Sequence, residues 1–599
     1  MAPKKNQPSA HKRDGIHFVN ARPSSETERL SAKRLVRAHV GRWISDQTKD
    51  RSTSLESLGS SRSTHALHDS ISPSSSNLTH VGSSSYTHGS RSSSYSTRPA
   101  HAIQHALPVS LEQVPQREWQ PSPFPPSHAS DSSESSDDAS TVVTVSSNPT
   151  AIRRWHALSP IEPPISSALD PFGTHPSRFK PEIMNLCEEY CLKVLWPGLI
   201  PTRDQRKETG QLWSPLARSD PALFTSFMFA SLCHRRMQWL NGSITKDSFD
   251  RELDQALELC EMESISLINE AVHDPSRAIS DAVLLSVICM AHHRATGNSG
   301  GGPLRTPFNP PLRRLQWVDV YGCLRPNMVH VQGLLQLINL RGGLKNITTL
   351  GLRPTIGFSD IFTASVLCSR PVFEFWPIDP NRNGISIYAL LDFDQSDVDH
   401  GFGRLRGIGI TPQMAEALQA AHTYIEILKA CLASGYEISL LADKRNITQH
   451  TLLSIPQATD VHAHFSHPSQ PATYEACRLT ALIFGVGVVF PLPAQSTPLR
   501  SLAQQLQSAL SQPTASTLWS SPNTRILLLW ILTLGGIAAC DTPGRSFFAS
   551  ALGHSSRCSG LSSWPDLKQC LEMMLWYDLA CDEAGEALWH ETQASYATE

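Results

Sequence analysis

None of the thirteen cysteines in this chain precedes Cys187. The N-terminal part, which holds the most basic stretch, therefore lacks the thiolate cluster that a zinc-clamped DNA-reading module needs. The later cysteines are odd in number and irregularly spaced. That pattern argues for reduced, mostly buried thiols in the cytosol or nucleus rather than a disulfide framework. There is also no Walker loop, no dinucleotide fingerprint following a strand and no H-E-x-x-H helix, so the nucleotide and zincin chemistries marked by those motifs are not indicated. Alternating strand patterns are scarce. Two apolar runs stand out, "LTALIFGVGVVFPLP" from Leu479 and "ILLLWILTLGGIAAC" from Ile526. Both fall short of the ~20 residues that span a bilayer and are expected to be helices buried in a large core. The opening "MAPKKNQPSAHKRDG" has charge but no apolar h-region, so no secretory signal is expected. The sequons at Asn77, Asn241, Asn346 and Asn446 have no consequence in that compartment.

What is present is unevenly distributed. The chain has 599 residues, 40% of them apolar, and a net charge of −3. Basic and acidic stretches cancel, so the balance along the chain says more than the total. Residues 1–51 are basic. Residues 52–150 are dominated by Ser, Thr and Pro, as in "SRSTHALHDSISPSSSNLTHVGSSSYTHGS". Such a composition cannot bury enough apolar surface to offset chain entropy, and a disordered linker is expected. Within it, "SDSSESSDDAS" places Asp138 three residues after Ser135, which suits an acid-directed kinase, although a solvated spacer has the same look.

From about Ala151 to the end the texture is that of one all-α, multi-helix domain. Asp220 followed by Pro221 and a long apolar run reads as an N-cap with proline at the first helical position. "DRELDQALELCEMESISLINEAV" repeats every 3.6 residues, with Leu253, Ala256, Leu257, Cys260 and Ile265 near one stripe. "SDAVLLSVICMAHH" reads as a third helix, and the glycines and prolines of "GNSGGGPLRTPFNPPLRR" break the pattern. "MVHVQGLLQLINLRGGL", "ITPQMAEALQAAHTYIEILKACLAS" and "DLKQCLEMMLWYDLACDEAGEALWH" restore it.

Candidate chemistry is sparse. Gly297 to Gly301 matches G-x-S-x-G around Ser299, but a helix precedes it where a nucleophile elbow needs a strand. "HAHFSHP" offers His462, His464 and His467 as zinc donors, without a cysteine or carboxylate cluster beside them. Cys187 and Cys191 fall one helical turn apart and are expected to pack. No catalytic residue, no metal site and no cofactor is assigned.

Three stretches taken in order carry a resemblance. In "HVQGLLQLINLRGGL", Val331, Leu334, Leu335 and Ile338 form an apolar stripe from His330, and Arg341-Gly342-Gly343 can end the helix in a left-handed cap. "GLRPTIGFSDIFTASVLCSRPVFEFWP" follows, with Asp360 inside an apolar helix. "LLLWILTLGGIAACDTPGRSFFASAL" comes late, with Arg545 before an aromatic pair. This order resembles the fungal-specific transcription factor domain. The N-terminal "HFVNARPSSETERLSAKRLVRAHV" resembles a subgroup that lacks the zinc cluster and sometimes carries a tachykinin label. The resemblance implies an all-helical fold, a regulatory role in the nucleus with shuttling to the cytoplasm, and action through protein partners. It leaves a small effector between the helices open. His330, Arg341, Gly342, Gly343, Asp360 and Arg545 would then be structural: caps, turns and a buried ion pair.

The basic stretch itself reads as an amphipathic helix over about 26–48. Ser25 and Glu28 have capping-box spacing. Ala32, Val36, Val40 and Trp43 line one stripe, while Lys33, Arg34, Arg37 and Arg42 occupy other faces. Four roles stay open: docking on the helical domain or on a partner, nuclear import together with Lys4, Lys5, Lys12 and Arg13, phosphate contacts with DNA, and a membrane surface. No membrane partner is assigned. Besides the transcriptional regulator, two readings remain: a cytoplasmic helical scaffold, and an enzyme using the His462–His467 loop.

Overall fold

A computed structural model describes residues 179–201, 203–245, 248–294, 306–435 and 441–594. The basic helix with Lys33, Arg34, Arg37 and Arg42, the Ser-rich linker and the Gly297–Gly301 match lie outside these residues. Among the described residues every regular element is helical and no strand occurs.

The first helices start where local chemistry says they should. Helix α1 (Pro181–Tyr190) runs through a wide turn at Cys191–Leu195 into the short helix Trp196–Leu199. Helix α2 spans Arg203–Ser219. Helix α3 (Pro221–Leu240) is capped by Asp220, whose side chain accepts from the amides of Ala222 and Leu223, two donors the first turn cannot satisfy itself. Helix α4 (Arg251–His273) is capped by Asp250 and buries Ala256, Leu257, Cys260, Ile265 and Ile268 along its stripe. Helix α5 (Asp281–His292) is capped by Ser280 and is buried from Ala282 onward, so its sequence shows no polar face.

Helix α6 (Met328–Leu340) buries His330, Val331, Leu334, Leu337 and Ile338. Leu337, not Leu335, completes the stripe, and Leu335 is half-buried. Helix α7 (Leu352–Leu367) contains Asp360. Helices α8 (Pro412–Ser434) and α9 (Leu441–Leu453) pack on each other, and α7 packs on both α5 and α9. Helix α10 (Gln470–Phe484) continues as a wide turn over Gly485–Val489. Those 20 residues are longer than the apolar run from Leu479 suggests, because Ala472, Tyr474, Ala476 and Cys477 extend the buried face upstream. The segment is long and apolar enough to cross a membrane, yet 94% of it is buried inside the protein. It is a core helix by contact.

Helices α11 (Leu499–Leu510) and α12 (Arg525–Ala538) pack with α10, and α12 is buried from Leu527 onward. Helix α13 (Arg545–Cys558) follows. "DLKQCLEMMLWYDLACDEAGEALWH" forms two helices rather than one, α14 (Trp564–Glu572) and α15 (Asp578–Ala594). The break exposes Met573 and buries Met574, Leu575, Trp576 and Tyr577 in sequence.

Two hydrophobic cores result. One gathers α1 to α6, around Trp213, Phe229, Leu257 and Leu284. The other gathers α8 to α15, around Tyr424, Phe484, Trp530 and Phe548. Leu199, Leu315 and Trp317 pack partly against both. Backbone strain concentrates at this seam: Gln316 and Trp317 are consecutive non-glycine residues with φ of 54° and 57°. Trp317 is fixed there by its Nε1, which donates to the Leu195 carbonyl at 3.1 Å, and Gln316 Nε2 donates to the Leu199 carbonyl at 2.9 Å.

All thirteen cysteines are free; seven are buried and Cys558 alone is exposed. Cys187 and Cys191 lie in the first core.

Candidate functional site

The six residues of the three sequence stretches occupy separate places. Arg341 caps α6. Its Nη1 donates to the Ile279 carbonyl at 2.6 Å and forms an ion pair with Asp281 at 2.6 Å, both side chains being largely buried. Gly342 and Gly343 have φ of 88° and 96°. The Gly343 amide reaches back to Ile338 and the Gly342 amide to Asn339, which is the Schellman arrangement and satisfies the last carbonyls of α6. Asn346 Nδ2 bridges the Arg341 and Gly342 carbonyls at 2.9 and 3.0 Å. Asp360 accepts from the amides of Val372 and Phe373 at 2.7 and 2.8 Å, tying α7 to the segment after it. Burial holds the Asp360 carboxyl up at about 6 despite those two donors. Arg545 forks onto both carboxylate oxygens of Glu591 at 2.8 Å and donates to the Gly536 carbonyl at 2.5 Å, joining α12, α13 and α15. His330 is buried on α6, and burial lowers it to about 4. These residues hold elements in place and do not converge on one point.

His462, His464 and His467 are exposed on and beside a short helical turn over Ala458–His464. Among the described residues no group of three or more His, Cys, Asp or Glu side chains is arranged to hold a metal ion.

The structure brings together a different set, which sequence reading did not single out. A cavity of about 50 Å³ lies at the seam of the two cores. Trp196, Phe227 and Ala230 from the first core wall one part of it, and Tyr321, Phe358 and Phe362 from the second wall another. His292 and His293, at the end of α5, line it as well. His292 Nε2 is hydrogen-bonded to Ser359 Oγ at 2.5 Å. His293 Nδ1 meets the Cys289 carbonyl at 2.8 Å. Burial lowers His292 to about 3 and His293 to about 4, so both are neutral near pH 7.

That fixes the tautomer of His293. A carbonyl oxygen only accepts, so Nδ1 carries the single proton and Nε2 presents a bare lone pair. His293 Nε2 has no hydrogen-bond partner among the described residues. A buried acceptor left so costs ~1–3 kcal/mol. His234, beside Trp317 and Tyr321, repeats the pattern. Tyr190 donates to Gln238 Oε1 at 3.0 Å and sits 2.9 Å from His234 Nδ1, leaving His234 Nε2 bare. The only sequence signal for this cluster is the doublet ending "SDAVLLSVICMAHH", two polar residues closing an otherwise apolar helix.

Residues 413–575 match the family model of the fungal specific transcription factor domain. The resemblance carried by the sequence stretches is thereby supported, and with it a transcription-factor-like regulatory role. The matched stretch runs from α8 to the turn after α14 and supplies most of the second core. No curated protein and no solved structure matches the chain. The cavity lies upstream of the fungal transcription factor match in sequence, but part of its wall belongs to the core that the match builds.

Proposed function

We propose that this protein regulates transcription in the nucleus through protein partners, without a zinc cluster of its own. The observation that carries this reading is the match of residues 413–575 to the fungal specific transcription factor domain, within an all-helical body. The arrangement of the chain supports it. A long helical domain that buries its polar groups on itself is suited to association and regulation. The only strongly basic stretch, Glu28–Arg51, lies far from it in sequence. That stretch supplies charge for import or for phosphate contacts, which bring salt-dependent affinity but little base readout.

The test is localisation and chromatin association of the tagged full-length chain. A nuclear, chromatin-associated protein is the expected result; exclusion from nuclei under every growth condition would overturn the reading in favour of a cytoplasmic scaffold. A companion measurement compares the purified protein with a Lys33/Arg34/Arg37/Arg42→Ala variant on duplex DNA across a salt series. Salt-sensitive binding lost in the variant would make the basic helix a direct contact. No binding by either protein would leave recruitment to partners alone.

A further inference from the structure

Helix α4 carries an exposed apolar pair on an acidic face. Leu259 and Met262, one turn apart, are 50% and 53% exposed, while Ala256, Leu257 and Cys260 are buried on the opposite side. Glu252, Glu263 and Glu270 fall in register with Leu259 along one edge of the outer face, and Glu258 lies at the other edge. Arg251 is the only Arg or Lys in the helix. Such a face repels phosphate and attracts a basic element that has an apolar stripe. The chain contains one. Ala32, Val36, Val40 and Trp43 form a stripe in sequence, and Lys33 and Arg37, at i and i+4, flank it. The path of the chain leads to the same place. Lys180, the second described residue, pairs with Glu252 at 2.5 Å, so the chain enters the domain beside the first turn of α4. Met262 lies ten residues further along that helix, ~15 Å at the helical rise. Between Thr48 and Phe179 lie about 130 residues. For a coil of that length the effective concentration is on the order of 1 mM, so a contact with a Kd of about 0.1 mM is about nine-tenths closed.

We propose that the basic segment over residues 31–43 docks in cis on the outer face of α4. Its apolar stripe covers Leu259 and Met262, with Lys33 and Arg37 toward Glu263 and Glu270. No covalent step is involved. While docked, those cations are withheld from DNA and from an import receptor. Docking stands on the two complementary surfaces and the entry point of the chain. Its use as a brake rests on the regulatory reading above.

The experiment is amide hydrogen exchange of residues 31–43 in the purified full-length chain. Exchange is expected to be about tenfold slower than in Leu259→Ser/Met262→Ser, the factor a nine-tenths closed contact gives, and unchanged on dilution. Val36→Ser/Val40→Ser, which alters no residue of the helical domain, is expected to lose the same protection. Lys33→Glu/Arg37→Glu should lose most of it, and adding Glu263→Arg/Glu270→Arg to that variant should restore it. Met573→Ser/Leu579→Ser, at another exposed apolar pair, should leave it unchanged. Equal exchange in the unaltered protein and in Leu259→Ser/Met262→Ser would overturn the docking. So would protection retained in Val36→Ser/Val40→Ser, no restoration by the charge reversal, or an equal loss in Met573→Ser/Leu579→Ser. Protection that falls on dilution would overturn it in favour of a second copy of the chain. Circular dichroism checks that the variants fold. Affinity of the full chain for duplex DNA is expected to rise about tenfold in Leu259→Ser/Met262→Ser, since the competent fraction goes from about one-tenth to nearly all. Protection lost without that rise would overturn the brake and leave the docking.

Discussion

Arg445 Nη2 donates to Gln316 Oε1 at 2.7 Å, across a separation of 129 residues. The guanidinium is fully buried and also donates to the Leu315 carbonyl at 2.8 Å and to Asn446 Oδ1 at 3.1 Å, with its plane 4.7 Å over the Phe490 ring. Among the described residues it has no carboxylate partner. It is a buried cation held by neutral acceptors and a ring, placed where α9 meets the strained Gln316–Trp317 bridge. Arg445→Met would leave the Leu315 carbonyl without this donor and Gln316 Oε1 with Asn446 Nδ2 alone. A loss of ~3–5 kcal/mol is expected, read as a shift in the urea midpoint. A loss below ~1 kcal/mol would mean that the bridge is held by Trp317 and Leu199 packing instead.

The buried histidines set the acid limb of stability. His292, His293 and His330 lie at about 3, 4 and 4 in the folded protein, against an ordinary value near 6.5. The unfolded chain therefore binds more protons as pH falls below about 6.5, and stability is lost between there and about 4. Asp360 and Asp443, both raised to about 6, act in the opposite sense: the folded state holds their protons longer, so they favour the folded state as pH falls from about 6 toward 4. The histidine effect outweighs them in number and shift. His293→Gln is expected to shrink the stability difference between about pH 7.5 and about pH 5 by up to ~2 kcal/mol, whereas Asp360→Asn should enlarge it. Urea unfolding at the two pH values measures both.

Gly342 and Gly343 separate conformational cost from steric cost. Both have positive φ, but a Cβ on Gly343 would meet nothing within 4 Å, while one on Gly342 would lie 2.5 Å from Asn346 Nδ2. Gly343→Ala is expected to cost ~1 kcal/mol and Gly342→Ala more, because it also displaces the amide that bridges the Arg341 and Gly342 carbonyls. Thermal unfolding of the two variants side by side checks the order.

Arg545→Lys keeps the charge and loses the fork. Glu591 is half exposed, so screening limits the ion pair itself, and the contact to the Gly536 carbonyl is the more protected part. A loss of ~1 kcal/mol is expected, with the C-terminal helix α15 fraying first; amide exchange along α13 and α15 would show it.

The legibility of the sequence follows from the range of each interaction. Asp220 before Pro221, and Gly342-Gly343 after an apolar stripe, are local grammar: donor and acceptor lie no more than five residues apart. They were readable for that reason. Helix α9 was not. "LADKRNITQHTLL" has no apolar stripe, yet Asp443, Arg445, Asn446 and Gln449 are buried, because their partners Ile378, Gln316 and Ser365 arrive from 65 to 130 residues away. The cavity was hidden for the same reason: His292, His293 and Ser359 read as ordinary polar positions until the fold sets α5 and α7 side by side. The two apolar runs were read correctly as core, since a helix that is apolar all round has no other place in a packed domain.

The free cysteines give the molecule a set of internal clocks. Only the thiolate reacts with an alkylating reagent, and burial pushes Cys233, Cys289 and Cys477 up to about 12. Each is therefore silent until its surroundings open. Cys233 and Cys289 sit in the first core and Cys477 in the second. The time at which each becomes labelled under native conditions would report the opening of its own half, and whether the two halves open together or one after the other.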